Sequence, residues 1–213
     1  DDVVDRSNLQ RQIIHGTADI GRSKVRSAAA RVKDINPHVE TILYEERAEA
    51  ENLMEILSEY DFIIDAVDSF ASKFLINDAC VLAKKPFCHG GIREFQGQVM
   101  TYVPGCGPCY RCIFEEIPAD GQIDSCSQAG VLGTMPGIIG SLQALEAQKY
   151  LLGTGDLLTG AMLVFNGLSM EFRKVKFSKA SPSCRVCGEE ADIKILDKSE
   201  YEVAAACEWK GKQ

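Results

Sequence analysis

Four of the nine cysteines stand in two Cys-x-x-Cys pairs, Cys109/Cys112 and Cys184/Cys187. Such a turn presents two sulfurs to one ion, and zinc takes four tetrahedral thiolate or imidazole ligands, so two turns complete a site. With four thiolates no coordination position stays open. The Zn2+ expected here is therefore structural, clamping the long loop that follows Cys109 to the chain's last strands. Coincident cysteines and a thioredoxin-like redox pair are the alternatives, although one Cys-x-x-Cys would suffice for redox work. Cys106 is a spare thiol, ranked below Cys109 because Cys109-Tyr110-Arg111-Cys112 has the standard spacing.

Two further groups suit phosphate chemistry. Asp65-Ala66-Val67-Asp68 closes an apolar run. In open α/β sheets ligands bind outside the carboxyl ends of the strands, so Asp68 is placed to hold Mg2+ beside phosphates. Capping the next helix is an equal use for it. The second group is Ser7-Asn8-Leu9-Gln10-Arg11-Gln12, followed by Gly21-Arg22-Ser23-Lys24. Arg11 offers a planar fork to phosphate oxygens, and Lys24 a point charge near a helix N-terminus, where anions are already favoured. The alternative is surface charge.

The elements that must position these residues follow from periodicity. Val25, Ala28, Ala29, Val32 and Ile35 fall at helical spacing until Asn36-Pro37 stops them. Val39 to Leu43 reads as a strand, 48–60 as a helix, 62–67 as a buried strand and 70–83 as a helix. Strands are expected at 87–89 and 98–103. The Gly-, Pro- and Cys-rich stretch from Pro104 to Met135 is too long for an ordinary connection and reads as a functional loop. A helix follows over 137–152, its apolar stripe serving the core or an interface, then strands at 161–165 and 169–177. Alternating strand and helix predicts an α/β chain with a doubly wound, mainly parallel, Rossmann-like sheet.

Composition narrows the class. The 213 residues with 46% hydrophobic content build one full core without disulfides. A net charge of −8 argues against nucleic acid as a partner. No apolar run reaches the eighteen residues that a membrane span needs. An odd number of cysteines in a chain of this length points to a reducing cytoplasm, where paired knuckles mean metal before disulfide.

Asn8-Leu9-Gln10-Arg11-Gln12, Lys24, Ile35-Asn36-Pro37, Asp65-x-x-Asp68, Cys109-Tyr110-Arg111-Cys112, Ala129-Gly130-Val131, Gly140 to Ala147 and the last Cys-x-x-Cys occur in order. Together they resemble the ThiF/MoeB/HesA family, bacterial relatives of ubiquitin-activating enzymes, over nearly the whole chain to about Gly188. The resemblance implies a nucleotidyltransferase that uses ATP to adenylylate the C-terminal Gly of a ubiquitin-like sulfur carrier, for thiamine or molybdopterin synthesis. It further implies a homodimer and a sulfur donor. Ser7, Asn8, Gln10, Arg11 and Lys24 are then ATP contacts, and Asp68 positions Mg2+. Cys126 matches the crossover-loop cysteine able to trap the activated carrier covalently, with a bystander thiol as the other reading. Ser69 stands where the family commonly has Asn, and Lys73 where it has Arg. A non-catalytic zinc-stiffened binding module, and a family member acting on a different acceptor, are the competing readings.

The family's Gly-x-Gly-x-x-Gly phosphate loop has no counterpart among the 213 residues; Gly133, Gly137 and Gly140 have other spacing and follow no strand. The expectation is one adenylation domain over 1–213 that lacks its first βαβ unit, with on the order of thirty or more residues upstream.

Overall fold

The computed structural model describes residues 1–118, 130–177 and 179–201. Five α-helices are described: α1 (Lys24–Ile35), α2 (Leu53–Ser58), α3 (Phe70–Leu82), α4 (Arg111–Phe114) and α5 (Thr134–Leu152). Five strands join them: β1 (Ile63–Asp65), β2 (Phe87–Arg93), β3 (Gln96–Tyr102), β4 (Ala161–Asn166) and β5 (Glu171–Lys176). They form one sheet in the order β1-β2-β3-β4-β5. Among the described residues no helix is long and apolar enough to cross a membrane.

Local sequence explains where the elements begin and end. α1 stops at Asn36, which is extended (φ −148°) because Pro37 disfavours helical geometry in the residue before it. Ser69 caps α3, its hydroxyl accepting from the Ser72 backbone N–H at 3.1 Å. The Ser that departs from the family pattern is therefore a competent helix cap. α5 ends on Gly153 in the left-handed region (φ 61°), which glycine enters at no steric cost.

Side chains alternate across β2 and β3, and the core divides accordingly. On one face Phe87 and Met100 join Leu53, Leu57, Phe74, Tyr110 and Cys184 under α2, α3 and the first knuckle. On the other, Cys88 and Val99 pack with Ile139 and Leu158 under α5. The α/β class is thus present as a sheet between helical layers.

The sheet is mixed rather than mainly parallel. Among the described strands only β1 and β2 pair in parallel, Asp65 opposite His89, and they need the α3 crossover to do so. The pairs β2/β3, β3/β4 and β4/β5 are antiparallel. β2 and β3 are separated by two residues and β4 and β5 by four, too few for a parallel crossover, so hairpins are the physical outcome.

The strand expected at Val39 to Leu43 is absent from the described ladders; Val39 is 49% exposed and Ile42 60% exposed. A strand exists only when a neighbouring edge takes its hydrogen bonds, and local β-propensity supplies no such edge. The helix expected over 48–60 shortens to Leu53–Ser58, while β2 extends well beyond 87–89 because β3 pairs with it residue for residue. On α5 the apolar stripe is a poor guide. Gln143 and Glu146 are buried, whereas Leu145, Leu151 and Leu152 are exposed. The buried polar pair is satisfied: Glu146 Oε2 accepts from Thr101 Oγ1 at 2.6 Å and from the Leu158 N–H at 2.8 Å.

Candidate functional site

The four knuckle sulfurs converge. Their Sγ atoms all lie within 4.8 Å of one another, although 75 residues separate Cys109 from Cys184 in the chain. The separations are 3.8 Å for Cys109–Cys112, 3.6 Å for Cys109–Cys184, 3.4 Å for Cys109–Cys187 and 3.3 Å for Cys112–Cys187. Sulfurs about 2.3 Å from a tetrahedral zinc stand roughly 3.8 Å apart, whereas a disulfide needs about 2.05 Å. All four thiols are free, Cys109 and Cys184 buried and the other two half-buried. The donor set fits Zn2+. The Ser181 N–H donates to Cys112 Sγ at 3.3 Å, which orients that ligand from outside the centre. Cys106 is exposed and lies outside the four-thiol group, lining an open cavity with Tyr102, Phe177 and Cys187.

The two residues inside the first knuckle reach into the core. Arg111 grips Asp78 of α3 with two parallel bonds, Nε to Oδ1 at 2.9 Å and Nη2 to Oδ2 at 2.8 Å. Both partners are buried, at 4% and 0% exposure. The same carboxylate accepts from Asn77 Nδ2 at 2.8 Å and Tyr201 Oη at 3.0 Å, so its lone pairs are used. The guanidinium also lies 4.7 Å from the centre of the Phe74 ring. Tyr110 packs edge-on against Phe74 and tilted against His89, ring centres 5.1 and 4.6 Å apart. The thiol centre is therefore bolted to α3 and β2.

The predicted phosphate residues fall into two places. Asp68 is exposed in the turn between β1 and α3, beyond the carboxyl end of a parallel strand. The N-terminal group is built around a capping box over Arg6–Asn8. Ser7 N–H and Oγ donate to Asp5 Oδ1, and the Asp5 N–H donates to Asn8 Oδ1. The buried Asn8 side chain thus shapes the turn, and Arg11 folds back to donate from Nη1 to the Ser7 carbonyl at 3.1 Å. Lys24 opens α1 and pairs with Asp2, close to the short bridge between Val3 and Ser23.

Gln10 has a different employment. Its Nε2 donates to the Val131 carbonyl at 3.2 Å, and its own backbone carbonyl lies 2.2 Å from where a Cβ on Gly133 would stand. Only glycine lets the two segments approach so closely, which ties the N-terminal group to the return of the long loop. Gln12, named in the sequence motif but given no role of its own, has its Oε1 buried without a partner among the described residues. It offers an open acceptor to a donor such as a nucleotide amino or hydroxyl group, and the Asn8–Gln12 segment fits a nucleotide in that respect. Cys126 lies outside the described residues.

Comparison with known proteins decides the family. The ThiF family profile matches residues 1–186. The chain belongs to the ThiF family. Among relatives of this ThiF-family chain, the SAMP-activating enzyme E1 of Haloferax volcanii is 44% identical over 189 residues, 89% of this chain and 69% of that protein. A sulfur carrier protein adenylyltransferase of Thermus thermophilus is 43% identical over 194 residues, 89% of this chain and 71% of that protein. The adenylyltransferase and sulfurtransferase MOCS3 of Mus musculus is 40% identical over 195 residues, and the chain spans only 42% of its length. Among solved structures, E. coli MccB with ATP superposes with a TM-score of 0.75 at 20% identity, over 88% of this chain and 57% of that one. That likeness establishes the fold.

Proposed function

We propose that this ThiF-family chain is the adenylating domain of a nucleotidyltransferase acting on the C-terminal glycine of a ubiquitin-like sulfur carrier. The observation that carries the reading is the 43% identity, along 89% of the chain, to a relative named as a sulfur carrier protein adenylyltransferase. A carrier carboxylate oxygen attacks the α-phosphorus of ATP, the acyl–phosphate bond forms, and pyrophosphate leaves with the electrons of the broken P–O bond. Negative charge builds on the phosphates as this happens, and the chain's cations are what answer it. Arg11 and Lys24 neutralise that charge, and Lys24 exchanges its Asp2 partner for phosphate. Ser7, Asn8 and Gln10 shape the turn that presents Arg11. Asp68 would hold Mg2+, whose charge offsets that of the triphosphate. Such positioning and electrostatics supply most of the rate in chemistry of this kind.

Zn2+ on Cys109, Cys112, Cys184 and Cys187 holds the knuckles together and takes no part in bond making. Thiamine and molybdopterin synthesis are the routes such a carrier serves; a homodimer, a sulfur donor and a reducing cytoplasmic setting belong to the same proposal. The experiment that tests it is ATP–pyrophosphate exchange by the full-length protein with ThiS-like and MoaD-like carriers. Exchange stimulated by one carrier supports the reading and selects the pathway; no exchange with either refutes it in favour of a non-catalytic binding module or a different acceptor.

A covalent step rests on Cys126. Its thiolate attacks the carrier's acyl-adenylate, forming a thioester as AMP leaves. Cys126→Ala is then expected to keep pyrophosphate exchange and lose a thiol-sensitive adduct on gel electrophoresis, whereas an undiminished adduct in this variant removes the step.

Chelation separates the zinc centre from the nucleotide site. Stripping zinc is expected to weaken transfer of the activated carrier and to raise proteolytic sensitivity around the knuckles, while ATP binding persists in a titration. Loss of ATP binding in step with zinc would contradict a purely structural role for the metal.

A further inference from the structure

A polar cluster buried beneath the carboxyl end of β1, beside the first half of β2, is used by none of the steps above. Asp65, which ends β1, is 1% exposed; Lys73 of α3 and His89 of β2 are 7% and 0% exposed. His89 Nδ1 lies 2.7 Å from Asp65 Oδ2, and Lys73 Nζ stands 3.4 Å from both carboxylate oxygens while donating to the Gly90 carbonyl at 2.8 Å. Gln98 of β3 approaches His89 Nε2 at 3.3 Å. Gln143 of α5 donates to the backbone carbonyls of Asp65 and Cys88 at 2.7 and 3.1 Å. Gly90 makes room for it, since a Cβ there would stand 2.4 Å from the Gln143 amide.

These contacts assign the protons. Asp65 is an acceptor, so Nδ1 carries hydrogen, and Nε2 is left to accept from the Gln98 amide. Burial holds His89 below its ordinary range, and Lys73 adds to that, so the ring is neutral. Burial pushes the Asp65 carboxyl up, but the His89 bond and the Lys73 charge outweigh it and hold the group below the usual carboxylate range. Tyr110 on the knuckle also packs against the ring, and burial raises its hydroxyl; among the described residues the Cys80 and Cys88 thiols, likewise raised by burial, feel the Asp65 charge.

We infer that His89 is a positioning residue: by donating from Nδ1 to Asp65 it fixes the β1–α3 turn on which Asp68 stands, and so sets how well that turn holds a divalent cation beside nucleotide phosphates. The inference rests on the role proposed for Asp68. Asp65 spends its second oxygen inward too, since Oδ1 accepts from the Val67 N–H at 3.1 Å, one residue before Asp68. A carboxylate held on both oxygens gives the turn one geometry. Without the His89 donor, the Asp65 carboxylate keeps only Lys73 and the Val67 N–H among the described residues and gains freedom to rotate.

The test uses the zinc-loaded full-length protein with two variants. His89→Asn keeps an N–H donor near the Nδ1 position; His89→Phe keeps a ring against Tyr110 and removes the donor. The half-saturating Mg2+ concentration for ATP–pyrophosphate exchange, and the Mn2+ dissociation constant with ATP read by electron paramagnetic resonance, are expected to rise roughly tenfold in His89→Phe, the scale of one hydrogen bond to a charged group. In His89→Asn both stay within about twofold, and exchange at saturating Mg2+ changes little in either. Unchanged cation affinity in His89→Phe, or equal losses in both variants, overturns the inference. Imidazole 15N shifts of the unaltered protein test it independently of variant folding: hydrogen on Nδ1 with Nε2 bare is expected, and an imidazolium or the opposite tautomer overturns it. An unaltered protein without exchange refutes the proposed function instead, leaving the nitrogen shifts to judge the lock.

Discussion

Asp68→Ala is expected to lower ATP–pyrophosphate exchange by roughly 10²–10³-fold, the scale set by removing one preorganised electrostatic group from a charged transition state. The side chain is exposed, so its removal leaves no cavity and orphans no buried donor. Thermal stability should therefore shift within about 0.5 kcal/mol, which separates the chemical effect from unfolding. Asp68→Asn keeps the shape, and the Ser69 cap of α3, but loses the charge, so it should resemble Asp68→Ala in rate. A variant within twofold of the parent at limiting Mg2+ would leave Asp68 a helix-end residue and nothing more.

The largest effect on stability is expected from Arg111→Met, at about 3–5 kcal/mol in denaturant unfolding. The volume is nearly kept, but the Asp78 carboxylate, fully buried, loses its bidentate cation and keeps only Asn77 and Tyr201 as side-chain donors. Burial already pushes the Asp78 carboxyl up against the pull of Arg111. A carboxyl raised on folding binds its proton more tightly in the native state, so stability falls as pH rises through the window between the unfolded and folded values. Removing Arg111 extends that window upward. The variant should thus regain part of the lost stability as pH is lowered toward the carboxylate range, where the parent gains less. Because Arg111 sits between Cys109 and Cys112, the proposed zinc ligands, the same variant is expected to release zinc faster to a chelator. A loss below about 1 kcal/mol, or no pH dependence in the difference, would show that Asp78 is not carried as an ion.

The thiol centre and the buried lock differ in how far they could be read without coordinates. Two Cys-x-x-Cys turns announce their ligand by spacing, because three-residue separation already fits a tetrahedral ion whatever the fold around it. Arg111 gave no such notice: its meaning depends on Asp78, 33 residues earlier. His89 was visible only as one residue of a short apolar strand, and the cluster it joins draws Asp65, Lys73, Gln98 and Gln143 from four other elements. Nor did helical spacing on α5 identify its buried face, since Gln143 and Glu146 turn inward where acceptors and donors await them.

What the residues determined by themselves is local: the stop of α1 at Asn36-Pro37, the paired knuckles, the acidic turn after β1 and the family these motifs mark in order. Each depends on contacts within a few residues, where backbone sterics and ligand spacing leave few choices. What the tertiary structure decided is which edges pair and which polar groups are buried together. Val39 to Leu43 has the composition of a strand and no described ladder, β2 grew because β3 met it, and Asp65 became part of a lock because His89 arrived in register opposite it. Pairing and burial are properties of two segments at once, and no pattern along one of them contains the other.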